Sequence, residues 1–153
     1  MGCFALMQLL KVFGAQTRTL SQIFCSVAFF HHATAYAVGC YPGVSASNPD
    51  NAYVVHLDGT VTDTRNALQW KLCAEGQSWS SGSCAGSETT HAWAEALNLA
   101  LSSTYAGFSD WRLPNVKELI SLVEECRDYP AINDTIFPRA PSTYFWSSSP
   151  LTS

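Results

Sequence analysis

The stretch Trp111-Arg112-Leu113-Pro114-Asn115, with Glu118 three positions on, constrains the fold more than any other part of this chain. Proline lacks a backbone N–H and disfavours helix in the residue before it, so Leu113 is held extended. Asn115 can then cap a helix while Glu118 reaches back to the Asn115 N–H, a capping-box arrangement. Tryptophan is highly buried on average, so Trp111 reads as a core anchor beside a helix start. Val116, Leu119, Ile120, Leu122 and Val123 are expected to form the buried face of that helix. The pattern carries the helix to Glu125-Cys126, before Tyr129-Pro130.

Upstream, the sequence predicts strands. Ala52-Tyr53-Val54-Val55-His56-Leu57 and Thr60-Val61-Thr62-Asp63 flank Asp58-Gly59, a hairpin signal because glycine tolerates the positive φ of such turns. Leu68, Trp70 and Leu72 alternate as a half-buried strand would. Trp93, Ala96, Leu97 and Ala100 recur at helical spacing, with Thr89 or Thr90 as cap and Ser102-Ser103-Thr104 as the end. Tyr144-Phe145 opens a last strand, followed by Trp146 and the polar Ser147-Ser148-Ser149. The expected class is therefore α+β, with two helices and a small, mostly antiparallel sheet.

The amino terminus has a different character. Lys11 and Arg18 precede the apolar run Ile23–Phe30, Ala35-Tyr36-Ala37 forms a small-x-small site, and no acidic residue occurs before Asp50. Residues 1–37 are expected to be a cleaved export signal. The run falls short of the roughly 20 apolar residues of a membrane span, so no span is expected after cleavage. Gly39-Cys40 offers a second reading, processing as a lipoprotein acylated at Cys40. Residues 38–52, rich in Pro, Gly, Ser and Asn, form an extended lead-in, and 53–153 the domain proper.

The segment after Ala37 carries six basic and twelve acidic residues, a net charge of −6. That balance argues against nucleic acid and against electrostatic capture of sulfated sugars or anionic membranes. It also holds four cysteines, Cys40, Cys73, Cys84 and Cys126. No two have C-x₂₋₄-C spacing, so zinc is not expected, and in an oxidising compartment they read as two disulfides. Three pairings are open; in one of them Cys73 and Cys84, which flank a polar loop, would close it, and Cys40 would then pair with Cys126.

The order of these motifs resembles the Lcl C-terminal domain family. Asp58-Gly59-Thr60-Val61-Thr62-Asp63 with Leu68-Gln69-Trp70 matches its opening. Trp93-Ala94-Glu95-Ala96-Leu97, Gly107-Phe108-Ser109-Asp110-Trp111-Arg112-Leu113-Pro114-Asn115, Pro130-Ala131-Ile132-Asn133 and Phe145-Trp146-Ser147-Ser148-Ser149 follow in the family's order. The resemblance implies a secreted bacterial module with a C-type-lectin-like core, of the kind found in surface and exported proteins. Members include a collagen-like adhesin that binds sulfated glycans, whereas this chain has no collagen repeat. Members also continue with further strands beyond the Trp-Ser-Ser-Ser motif, so the domain is expected to be incomplete at its C-terminus.

Few residues invite chemistry. Arg112 is the candidate ligand-binding residue, because a guanidinium offers paired hydrogen bonds to a sugar or an acid; the rival reading pairs it with a nearby carboxylate. Asp110, Asn115 and Glu118 offer oxygen atoms to calcium, but Leu113 stands where a lectin-like site needs a ligand, and Asn115 and Glu118 already serve the helix. His56 and His91 lack metal-ligand spacing, Ser147-Ser148-Ser149 lacks a nucleophile-elbow context, and Asn133-Asp134-Thr135 reads as a turn rather than a sequon in use. No catalytic residue, metal or cofactor is expected. The expected function is non-enzymatic: a secreted, periplasmic or cell-surface module binding a glycan or protein ligand, with oligomers possible. The alternative is a structural or assembly module with no ligand of its own.

Overall fold

The computed structural model describes residues 5–6, 10–12 and 39–150. Apart from two short strands, β1 (Ala5–Leu6) and β2 (Leu10–Val12), the expected export signal lies outside the described residues. The principal sheet is built from β3 (Tyr53–Val55), β4 (Thr60–Asp63) and β5 (Leu68–Lys71), with β2 beside β5 in the order β2-β5-β4-β3. All of its neighbouring strands are antiparallel.

Turn chemistry sets the register. Gly59 takes φ +84°, and the Asp58 carboxylate accepts from the Thr60 N–H at 3.0 Å and the Thr60 hydroxyl at 2.7 Å. This places Val55 opposite Val61. At the next turn the Asp63 carboxylate accepts from the Arg65 and Asn66 N–H groups and the Asn66 amide, fixing Asp63 opposite Leu68. Val61 and Trp70 then pair on one face, fully buried, and join Tyr53, Leu72, Leu122 and Phe137 in the main core.

The expected half-buried strand 68–72 differs in one respect: β5 is buried along its whole length. Each of its two polar side chains is buried with at least one partner. The Gln69 amide donates to the Thr60 hydroxyl at 2.7 Å. The Lys71 ammonium pairs with Glu75 at 2.8 Å and lies 5.0 Å from the Tyr105 ring centroid. A charge buried with its partner avoids most of the desolvation cost of an unpaired one.

The polar Cys73–Cys84 loop contains a hairpin that periodicity does not reveal, β6 (Ser78–Ser80) and β7 (Ser83–Ala85). Its turn, Ser81-Gly82, has both φ angles positive, at 51° and 80°, the requirement of a two-residue primed turn. The Ser-Gly pair is the signal that could have found it.

Helix α1 (Trp93–Ser102) starts later than expected. Its N-cap is Ala92 without a side-chain bond, because the Thr89 hydroxyl bonds the His91 ring instead. Ala96 and Ala100 pack with Trp111 and Leu113 in a second core, ringed by Leu97, Tyr105, Phe108 and Trp146. The Trp111 indole donates to the Tyr105 carbonyl at 2.9 Å.

Helix α2 (Val116–Ile120) has the expected capping box but not the expected length. It does not reach Cys126, and Val116, Ile120 and Val123 are exposed rather than buried. After Ser121 the chain tightens, Leu122 N–H bonding Leu119 and Val123 N–H bonding Ile120. Val123 then bridges Ile132. Beyond the helix the Glu124 carboxylate sits in a buried site. The last strand, β8 (Tyr144–Phe145), is where the sequence places it, with β1 parallel beside it.

Candidate binding groove

Two separated motifs build a scaffold here. The Pro114 carbonyl accepts the Ser148 N–H at 2.7 Å, and the Ser149 hydroxyl accepts the Val116 N–H at 3.0 Å, satisfying a donor of the first turn of α2. The Trp93 indole donates to the Ser147 carbonyl and the Trp146 indole to the His91 carbonyl. The serine cluster is thus bonded to the α1 and α2 starts, a backbone role consistent with its lack of a nucleophile context.

Arg112 is half-exposed, and its guanidinium forks onto Glu118, at 2.8 and 2.6 Å. The hydrogen bond from Arg112 holds Glu118 below the usual carboxylate range; burial opposes it and the Asn115 N–H assists. Glu118 in turn raises the Arg112 pKa. The same carboxylate takes the Asn115 N–H at 2.8 Å, so Arg112, Glu118 and Asn115 form one charge-assisted helix start.

A second polar cluster ties the lead-in to the domain. Glu124 is fully buried and accepts from the Ser47 N–H at 2.7 Å, the Ser47 hydroxyl at 2.8 Å and the Asn48 N–H at 2.9 Å. Burial pushes its pKa up, but these bonds outweigh burial and hold the carboxyl below its ordinary value. Asn133, also buried, donates to the Asn48 carbonyl at 2.9 Å and to Asp50 at 2.7 Å, while its own oxygen accepts from Thr135 and Ile136. Residues 39–52 are therefore stapled rather than merely extended.

Of the open pairings, the structure forms Cys40–Cys126 and Cys73–Cys84. In this bridge Cys40 has no free thiol to acylate. Ligating atoms of Cys40, Glu124 and Cys126 lie within 4.8 Å of one another. Both sulfurs are bonded to each other and the carboxylate is filled by hydrogen bonds, so the trio is not a metal site in this state. His56 bonds the Thr62 hydroxyl at 2.8 Å, and His91 lies 3.3 Å from Glu95, far along the chain from it.

One concave feature of the described residues has no single motif to announce it in the sequence. A groove of about 610 Å³ runs between the end of α2, the Asp128–Ile132 loop and the segment 141–145. Leu119, Leu122, Ile132 and Phe145 line it. Ile120 and Val123 also line it and stay exposed, and Tyr129 and Tyr144 stand at its rim 87% and 75% exposed. Tyr129 has φ +42°, a left-handed conformation that costs of order 1–3 kcal/mol in a non-glycine residue. Asp128 at one end accepts the Tyr41 hydroxyl at 2.7 Å, which raises the Tyr41 pKa. The groove lies beyond the early end of α2, between that end and the Asp128–Ile132 loop. The exposed Val123 and Ile120 therefore carry a signal only once the helix length is known.

Among the described residues no helix is long and apolar enough to cross a membrane. Residues 59–153 match the family model described as the Lcl C-terminal domain. No curated protein and no solved structure matches the chain.

Proposed function

Because the chain belongs to the Lcl C-terminal domain family, we propose that it is an exported, non-enzymatic surface module that binds a neutral glycan in the groove beside α2. The observation that carries this reading is the pair of outward aromatic rings, Tyr129 and Tyr144, over an apolar floor. Pyranose faces are apolar and stack on such rings, while Ser142 and Thr143 supply hydroxyls at the same rim. The acidic surface favours an uncharged sugar over a sulfated one.

Two disulfides support an oxidising, extracytoplasmic compartment. The single carboxylate of the groove, Asp128, is engaged by Tyr41, and both described histidines bond threonine hydroxyls away from the groove. These features support binding rather than catalysis.

A glycan array followed by titration calorimetry on the full chain tests the proposal. A neutral oligosaccharide should bind, and Tyr129→Ala or Tyr144→Ala should each weaken it at least tenfold, with circular dichroism unchanged. Binding that survives both substitutions, or a folded protein that takes no glycan, would overturn it.

A further inference from the structure

The edge of the principal sheet at β3 carries an inference independent of the glycan reading. Strand β3 is the terminal strand of the order β2-β5-β4-β3. The Thr64 N–H bonds the Ala52 carbonyl and the His56 N–H bonds the Thr60 carbonyl, both at 2.9 Å. In an antiparallel ladder the groups turned toward the partner alternate. Ala52, Val54 and His56 therefore face β4, and the main-chain groups of Tyr53, Val55 and Leu57 turn outward. The Tyr53 N–H is taken by the Asp50 carbonyl. The Val55 and Leu57 N–H groups have no partner among the described residues.

The side chains agree with the backbone. Val54 and Val55 are about half exposed and Leu57 is fully exposed, three apolar residues in four positions. Edge strands are ordinarily protected by lysine, proline, a bulge or a cover. Between Asn51 and Leu57 the only ionisable groups are His56 and the buried Tyr53, so no carboxylate or ammonium guards this edge in a chain that is otherwise strongly acidic.

We propose that β3 pairs with β3 of a second copy of this chain, antiparallel and centred on Val55. A two-fold axis at Val55 makes the edge self-complementary: Val55 exchanges both ladder bonds with its symmetry mate, and Leu57 lies opposite Tyr53. Val54 faces His56 of the copy, so no like charges oppose one another across the axis. A second copy suits this edge better than a charged partner, since the edge offers no charge to recognise. The apolar surface concerned is only a few hundred Å² per copy, below the roughly 800 Å² per partner of a stable interface. The dimer is therefore weak and concentration-dependent.

Sedimentation velocity on the full chain, from about 1 to several hundred µM, reads the equilibrium. The expected result is reversible monomer–dimer exchange with a micromolar to sub-millimolar midpoint. Val55→Lys and Val55→Glu should each weaken dimerisation at least tenfold, and a mixture of the two should restore a heterodimer, because the substituted residues face each other. Leu57→Ser, at a fully exposed site, is a milder variant should either charge impair folding, and it should shift the midpoint in the same direction. A monomer at every concentration, a larger closed oligomer, or a dimer indifferent to Val55 and Leu57 would overturn the proposal. In the last case another surface, or a segment outside the described residues, is the occupant.

Discussion

Glu124 gathers three short hydrogen bonds onto one buried carboxylate, and its ionisation state sets the strength of that site. A carboxylate accepting from two backbone N–H groups and a hydroxyl is stabilised as the anion, which is why its pKa lies below the ordinary range despite burial. Folded Glu124 thus has a lower pKa than unfolded Glu124. It contributes stability fully above the unfolded value, near ~4.3, and loses that contribution as the pH falls through its folded value. Glu118, held down by Arg112, acts in the same direction. Glu124→Gln keeps the shape but replaces one acceptor oxygen by an amide that faces N–H donors. At pH 7 it should cost about 2–3 kcal/mol in urea unfolding, in line with hydrogen bonds to charged groups. The gap between wild type and variant should close as the pH is lowered below the carboxylate range, since the wild-type group is then protonated too. A gap that persists unchanged at low pH would show that packing, not charge, is what the substitution removes.

At the scale of elements, the Asp58-Gly59 turn, the start of α2 and the extent of α1 were largely legible, and the length of α2 was not. Asp58-Gly59 and Asn115 with Glu118 act through their own side chains and neighbouring backbone, so a local reading finds them. Gly59 is the sharpest case. Its φ is +84°, and a Cβ there would stand 2.8 Å from the Trp79 Cβ and against the Tyr105 hydroxyl. Gly59→Ala therefore meets both a left-handed backbone and a collision. It should lower stability by about 2–4 kcal/mol, more than the roughly 1 kcal/mol of a conformational penalty alone. Thermal unfolding followed by circular dichroism checks it, and Tyr105→Phe in the same background should recover part of the loss. Helix α2 is shorter than its apolar pattern, and the chain beyond it is held at Glu124 by Ser47 and Asn48, which lie far away in sequence. The groove was invisible for the same reason. For Arg112 the sequence offered a ligand contact with carboxylate pairing as the rival, and the structure places its guanidinium on Glu118. The β6–β7 hairpin lay in plain view at Ser81-Gly82, masked by the polarity of its strands.

For the whole molecule, the two disulfides divide the task of holding a small fold unequally. Cys73–Cys84 closes 11 positions around the β6–β7 hairpin, whereas Cys40–Cys126 closes 86 and pins the lead-in against the end of the α2 region. In the chain-entropy account a loop's contribution grows with the logarithm of its length, giving about 3 kcal/mol for the short loop and about 4.5 kcal/mol for the long one. The long bridge also acts in series with Glu124: Tyr41 N–H bonds the Cys126 carbonyl, and Ser47 and Asn48 bond Glu124, so the same lead-in is held at both points. Cys40→Ala with Cys126→Ala should therefore destabilise the fold more than Cys73→Ala with Cys84→Ala. It should also be non-additive with Glu124→Gln, because a lead-in released at one end populates the open state that the carboxylate resists. Urea unfolding of the two double variants, alone and combined with Glu124→Gln, measures both effects. Equal losses for the two bridges, or strict additivity with Glu124, would mean that the lead-in is held by the surrounding apolar packing instead.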